Sequence, residues 1–120
     1  MTILRIGNAG GYWGDDPDAL QRQIHGGKLD YITMDFLAEI TMSILRKKWL
    51  KDPTVGYAAD FISMLEPVVG ALLANKTKLI TNAGGVNPVG CARKVWEISL
   101  AQGLRPKIAV VCGDDILGDI

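Results

Sequence analysis

The stretch Lys78 to Gly90, KLITNAGGVNPVG, constrains what this chain can fold into more than any other part of it. An apolar run (Leu79, Ile80, Thr81) leads into a loop without bulk (Asn82, Ala83, Gly84, Gly85) and then into Asn87-Pro88. Asn is a preferred N-cap and Pro is favoured at the first helical position, so the stretch predicts a strand, a glycine turn and a helix N-terminus. Such a turn leaves backbone N–H groups free at the positive end of a helix dipole, and Gly84, Gly85 and Gly90 let a ligand approach the main chain. A tight strand-to-helix connection with no ligand has the same composition. The tetrapeptide occurs twice: Asn8-Ala9-Gly10-Gly11 is followed by Asp16-Pro17 as Asn82-Ala83-Gly84-Gly85 is followed by Asn87-Pro88. The spacing exceeds the usual repeat periods and nothing else matches, so this is one local solution used twice rather than a solenoid.

Around these loops the chain alternates between strand and helix patterns. Ile3 to Gly7 reads as a first strand, with Asp16 as N-cap and Pro17 as first residue of a short helix that buries Leu20 and Ile24 and stops at Gly26-Gly27. His25, the only histidine, falls in the last turn, where a cation is favoured. Leu29 to Met34 reads as a second strand, after which Asp35 and Glu39 are placed one helical turn apart, followed by an apolar stripe Leu37, Ile40, Ile44, Leu45. A further stripe, Tyr57, Phe61, Leu65, Val68, Leu72, is interrupted by Pro67, which is expected to kink or restart the helix. After the second glycine loop come the stripe Val89, Ala92, Trp96, Leu100 and a near-continuous apolar strand, Lys107 to Cys112, with Cys112 in the core. The order predicts an α/β fold, an open and mostly parallel sheet with helices on both faces. Half of a β/α barrel would look the same over four β/α steps.

With 120 residues, 48 % hydrophobic and 22 % charged, the chain suits one α/β domain, residues 1–120. Lys+Arg and Asp+Glu balance at 13 each, which removes the electrostatic footprint of a nucleic-acid binder. No run approaches the length of a membrane span and the N-terminus lacks a signal-peptide pattern. Cys91 and Cys112 lie far apart and fit no metal-ligand spacing, so the expectation is reduced thiols in a cytoplasmic protein.

In a parallel sheet the ligand face lies at the carboxyl ends of the strands. That rule gathers Asn8, Gly10, Gly11 and Asp15 from the first strand, Asp35 and Glu39 from the second, Asn82, Gly84, Gly85 and Asn87 from the third, and Asp114 and Asp115 from the fourth. Clustered glycines at helix N-termini suit an anionic group, held by Asn82, Asn87 and the glycines, so Asn8, Gly10, Gly11, Asp15, Asn82, Gly84, Gly85 and Asn87 are the candidate ligand-binding set. The carboxylates of Asp35, Asp114 and Asp115 are the candidate catalytic set, for acid/base work or for a hard cation such as Mg²⁺. Neither a dinucleotide fingerprint nor a P-loop is present, and no Ser-His-Asp or Cys-His arrangement can be assembled.

The segments RIGNAGGYWGD (Arg5 to Asp15), LDYITMDFLAEITM (Leu29 to Met42), GYAADF (Gly56 to Phe61), TNAGGVNPVGC (Thr81 to Cys91) and KIAVVCGDDI (Lys107 to Ile116), in this order, resemble the N-terminal part of the acyclic terpene utilisation AtuA-like family. The chain departs from the family's pattern at Asp16, where the family commonly carries Arg, and at Asp35, where it tends to carry Glu. The resemblance implies the N-terminal segment of a longer family protein, with a role in catabolism of branched acyclic terpenoid or acyl-CoA compounds. Two readings follow. The chain acts on a small acidic or CoA-linked metabolite, or it is a non-catalytic α/β subunit, a homo-oligomer or partner subunit, that completes another chain's sheet or active site.

Overall fold

A computed structural model describes residues 1–120, and at its centre is a parallel sheet of three strands in the order β1-β2-β3. The strands are β1 (Ile6–Asn8), β2 (Tyr31–Met34) and β3 (Lys78–Thr81), paired in register so that Gly7, Ile32 and Leu79 form one row and Ile6, Tyr31 and Lys78 the next. The helices are α1 (Ala19–His25), α2 (Glu39–Lys51), α3 (Ala59–Leu65), α4 (Val69–Asn75) and α5 (Pro88–Leu100). This is the α/β fold with an open parallel sheet that the sequence predicts, but the helices expected on both faces gather on one.

Each crossover steps to the next strand in the same direction, and right-handed crossovers of that kind bring their helices to the same face of the sheet. On that face Ile32 and Met34 of β2 are buried against Leu20 and Ile24 of α1, Phe61 and Leu65 of α3, Leu72 of α4 and Cys91 and Ile98 of α5. Phe36, just beyond β2, meets the Phe61 ring edge-on at 5.9 Å between centroids. The opposite face is bare at both edges, with Ile6 64 % and Ile80 57 % exposed.

Several local expectations hold, and others shift for identifiable reasons. Pro67 does restart the helix: a 3-10 turn, Glu66–Val68, separates α3 from α4. Asn87 caps α5, its side-chain oxygen accepting from the Gly90 N–H at 3.0 Å. Helix α1 begins at Ala19, two residues later than its sequence suggests, although the Asp16 carboxylate still accepts from the N–H two residues on, that of Asp18, as an N-cap does, and also pairs with Arg22. Asp35 and Glu39 do not share a helical face: Asp35 lies in the loop after β2 and α2 starts at Glu39.

In α5 the buried face is Cys91, Val95 and Ile98, and the expected stripe of Val89, Trp96 and Leu100 faces outward. Both sets have helical spacing, and the aim of the preceding loop decides which one packs. Helix α2 buries only Thr41 and Leu45, leaving Ile40 74 % exposed.

The largest departure is Lys107 to Cys112. This segment joins no sheet, and Cys112 is exposed rather than core. Strand composition is satisfied there, but a strand exists only where a ladder partner accepts its hydrogen bonds. Cys91, by contrast, is buried, and burial pushes its thiol up to about 11, out of the reactive range. No helix is long and apolar enough to cross a membrane.

Candidate functional site

The two Asn-Ala-Gly-Gly loops are alike in sequence and differ in surroundings. In the second, every side-chain amide group is engaged. The Asn87 amide donates to the carbonyls of Pro53 at 3.1 Å and Val55 at 3.0 Å while its oxygen caps α5. The Ala83 carbonyl accepts from the Ala58 N–H, and the Gly56 carbonyl accepts from the Val86 N–H. A Cβ on Gly84 would stand 2.7 Å from the Pro88 Cα, and one on Gly85 would stand 2.5 Å from the Leu45 Cδ1 and 2.7 Å from the Gly56 carbonyl oxygen. Gly85 also has φ +55°, a conformation that side chains disfavour. These glycines are required by the chain itself, which packs α2, the 53–58 loop and α5 onto one turn.

Asn82 belongs to a network that ties the three strand ends together. Its amide donates to the Asp35 carboxylate at 2.7 Å and its oxygen accepts from the Phe36 N–H at 2.8 Å. The Asp35 N–H in turn donates to the Gly10 carbonyl. Asp35 is exposed, and the bonds from Asn82 and from the Leu37 N–H hold its carboxyl below the usual carboxylate range. It is therefore ionised at neutral pH and has no proton to donate there.

The first loop is open. A Cβ on Gly10 would meet nothing within 4 Å, and one on Gly11 only the Asp15 carboxylate at 3.9 Å. The loop is nevertheless shaped by its own side chains: the Asp15 carboxylate accepts from the Gly11 N–H at 2.9 Å and from the Asp16 N–H at 2.8 Å, and the Asn8 oxygen accepts from the Gly10 N–H at 3.2 Å. Trp13 anchors the loop to α3 by donating its indole N–H to Asp60 at 3.1 Å, with the Lys48 ammonium 5.3 Å from the ring centroid.

Beneath this loop, at the carboxyl ends of β1 and β2, lies a cleft of about 400 Å³ between the loop, α1 and α3. Ala9, Met34 and Phe36, all buried, give it an apolar floor, extended by Met64 and Pro67. Asp15, Asp18 and Asp60 stand around it with Gln21 and Ser63, and no lysine or arginine lines it. A second hollow of about 300 Å³ borders the C-terminal end of α1, around Gly26 and Lys28, at the amino end of β2 where parallel sheets do not place their ligands.

Of the candidate residues, Asn8, Gly10, Gly11, Asp15, Asp35 and Asn82 meet at the strand ends. Gly84, Gly85 and Asn87 lie one turn further along, inside the packed second loop. Asp114 and Asp115 are not brought to Asp35: the Asp115 carboxylate pairs with Arg46 of α2 at 3.3 Å and accepts from the Leu117 N–H. No three of the histidine, cysteine, aspartate and glutamate side chains gather closely enough to hold a metal ion. The residues present thus do not fit the hard-cation site that the three carboxylates suggested. Sequence reasoning missed Asp18, Gln21, Asp60, Ser63 and Met64. The one available signal was the GYAADF segment, whose Asp60 opens α3 beside an aromatic residue.

No curated protein and no solved structure matches the chain. A family model does, the one described as acyclic terpene utilisation family protein AtuA, over residues 4–120. The matched span takes in both glycine loops, the Asp35–Asn82 link between strand ends and the α3 wall of the cleft, and it leaves out only the first three residues. On that match over nearly its whole length, the chain belongs to the acyclic terpene utilisation AtuA family.

Proposed function

We propose that the cleft under the first glycine loop is where this protein of terpene utilisation takes its small-molecule ligand, in the cytoplasm. The observation that carries the reading is the contrast between the loops. Glycines whose surroundings would reject a side chain are explained by packing, whereas Gly10 and Gly11 face open space beside an apolar cleft at the carboxyl ends of the strands.

The lining selects a ligand class. Ala9, Met34, Phe36 and Met64 suit a branched hydrocarbon chain. Three carboxylates with no cation among the lining residues repel a carboxylate or phosphate and favour a group that donates hydrogen bonds, such as an alcohol. An acidic or CoA-linked metabolite would enter only by its hydrocarbon end, its charge staying in solvent. Asp15 and Asp60 are the acceptors for the head group, and Asn8, Gly10 and Gly11 supply its approach to the main chain.

The test is a thermal-shift comparison of a branched acyclic alcohol with the carboxylic acid of the same carbon skeleton. At about 100 times its dissociation constant a ligand of the folded state adds roughly 2.7 kcal/mol. The alcohol should raise the melting temperature more than the acid. Gly10→Val should abolish the shift while leaving the ligand-free melting temperature within a degree or two of the parent's, since its Cβ meets nothing. Stronger binding of the acid, or an unaltered shift in Gly10→Val, overturns the assignment. The bare face of the sheet favours a second reading, in which the chain contributes this sheet to a larger assembly.

A further inference from the structure

Asp60 belongs both to the cleft and to the loop above it. It lines the cleft, and its Oδ2 atom accepts from the indole N–H of Trp13 at 3.1 Å. Trp13 is not part of the lining, although Tyr12 and Gly14 on either side of it are. Its side chain is half-buried and packs against the hydrophobic core, with the Lys48 ammonium of α2 5.3 Å from its ring centroid. Packing and the cation hold the indole, and the indole holds the carboxylate.

The three carboxylates around the cleft differ in what orders them. Asp15 uses both oxygens on its own loop, accepting from the Gly11 and Asp16 N–H groups. Asp18, at the start of α1, makes no capping bond. Asp60 has a single donor on one oxygen, which leaves Oδ1 to accept from something else. An exposed side chain loses rotamer freedom when a ligand fixes it, and that cost is removed where a neighbour has ordered the side chain beforehand.

We infer that Trp13 is a positioning residue for the ligand's head group: its indole N–H holds Oδ2 of Asp60 so that Oδ1 is presented to the cleft as the acceptor for an O–H. The pair thereby sets a preference for a ligand that donates a hydrogen bond over one of the same shape that does not. The inference rests on the reading of the cleft as the ligand site and places the discrimination within it on Asp60, with Asp15 left to shape the loop.

The experiment is a thermal-shift titration of the chain with 2-ethylhexanol and with its methyl ether, which keeps the hydrocarbon skeleton and has no O–H. The parent should bind the alcohol more tightly than the ether. Trp13→Phe keeps a ring against the core and removes the donor. It should raise the dissociation constant of the alcohol roughly two- to tenfold, the cost of ordering one side chain, and leave that of the ether unchanged. A merely structural role would weaken both probes together. In Asp60→Asn the side chain has one oxygen, which the Trp13 N–H takes, so the amide nitrogen is turned to the cleft and donates to alcohol and ether oxygens alike. That variant should bind the two probes equally. A preference for the alcohol that persists undiminished in Trp13→Phe, or that survives in Asp60→Asn, overturns the inference and leaves the cleft reading standing. So does an equal loss for both probes in Trp13→Phe, or equal binding of both by the parent. No shift of the parent with either probe overturns the cleft reading, and the inference falls with it.

Discussion

Gly11 and Gly85 occupy the same place in two copies of one tetrapeptide, yet the same substitution should affect them differently. At Gly85 an added methyl would meet Leu45 and the Gly56 carbonyl oxygen and would have to adopt a φ of +55°. Gly85→Ala is therefore expected to cost about 2–4 kcal/mol, from strained backbone and overpacking together. Gly11→Ala should stay within about 0.5 kcal/mol of the parent, as surface changes in open space do. Urea melts of the two variants check this, and equal losses would remove the distinction between the loops. Asp35 makes a second prediction at this scale. Its carboxyl is held low first by the Asn82 amide and then by the Leu37 N–H, so the folded value lies below the unfolded one. The linkage is present above the unfolded value and is lost as pH falls through the folded one. Asp35→Asn should flatten the acid limb of the stability profile below about pH 4 and leave its neutral-to-alkaline part parallel to the parent's. An acid limb identical to the parent's would mean that the Asn82 contact does not form in solution.

At the scale of the elements, the pairing pattern sets an order of local stability. β2 is the central strand, bonded to β1 on one side and β3 on the other, with Ile32 fully buried. α2 has the opposite character, a long helix that buries only Thr41 and Leu45 and leaves Ile40, Ile44 and Leu50 exposed. Amides with few buried contacts around them open at lower free energy than those of the core. Native-state hydrogen exchange should therefore find the amides of Tyr31–Met34 the slowest and those of α2 faster by an order of magnitude or more. Slow exchange throughout α2 would mean that something covers its outer stripe in solution. The reason α2 stays attached is that Leu45 packs against the turn at Gly85, which joins the element scale to the residue scale.

The molecule as a whole is a sheet covered on one side, with a ligand-sized cleft at one end and an unpaired apolar strand beside it. Sequence alone determined the parts whose physics is local. Asn87 caps α5, Pro67 breaks the α3–α4 stripe, and the alternation of apolar runs with helical stripes yields parallel strands joined by helices. Capping, proline geometry and periodicity act within a few residues, so neighbours in the chain suffice to specify them. Tertiary structure decided the rest. Nothing in Asn-Ala-Gly-Gly tells which copy will be filled by Leu45 and the Gly56 carbonyl and which will face a cleft, because that depends on segments about thirty to forty residues away. Nor does KIAVVC disclose that it finds no ladder partner among these 120 residues. The face of α5 that packs and the partner that Asp35 chooses are likewise set by how distant elements meet. Strand pairing, burial and clefts are properties of contacts between remote residues, and a pattern read along the chain carries the propensity for them without the contact itself.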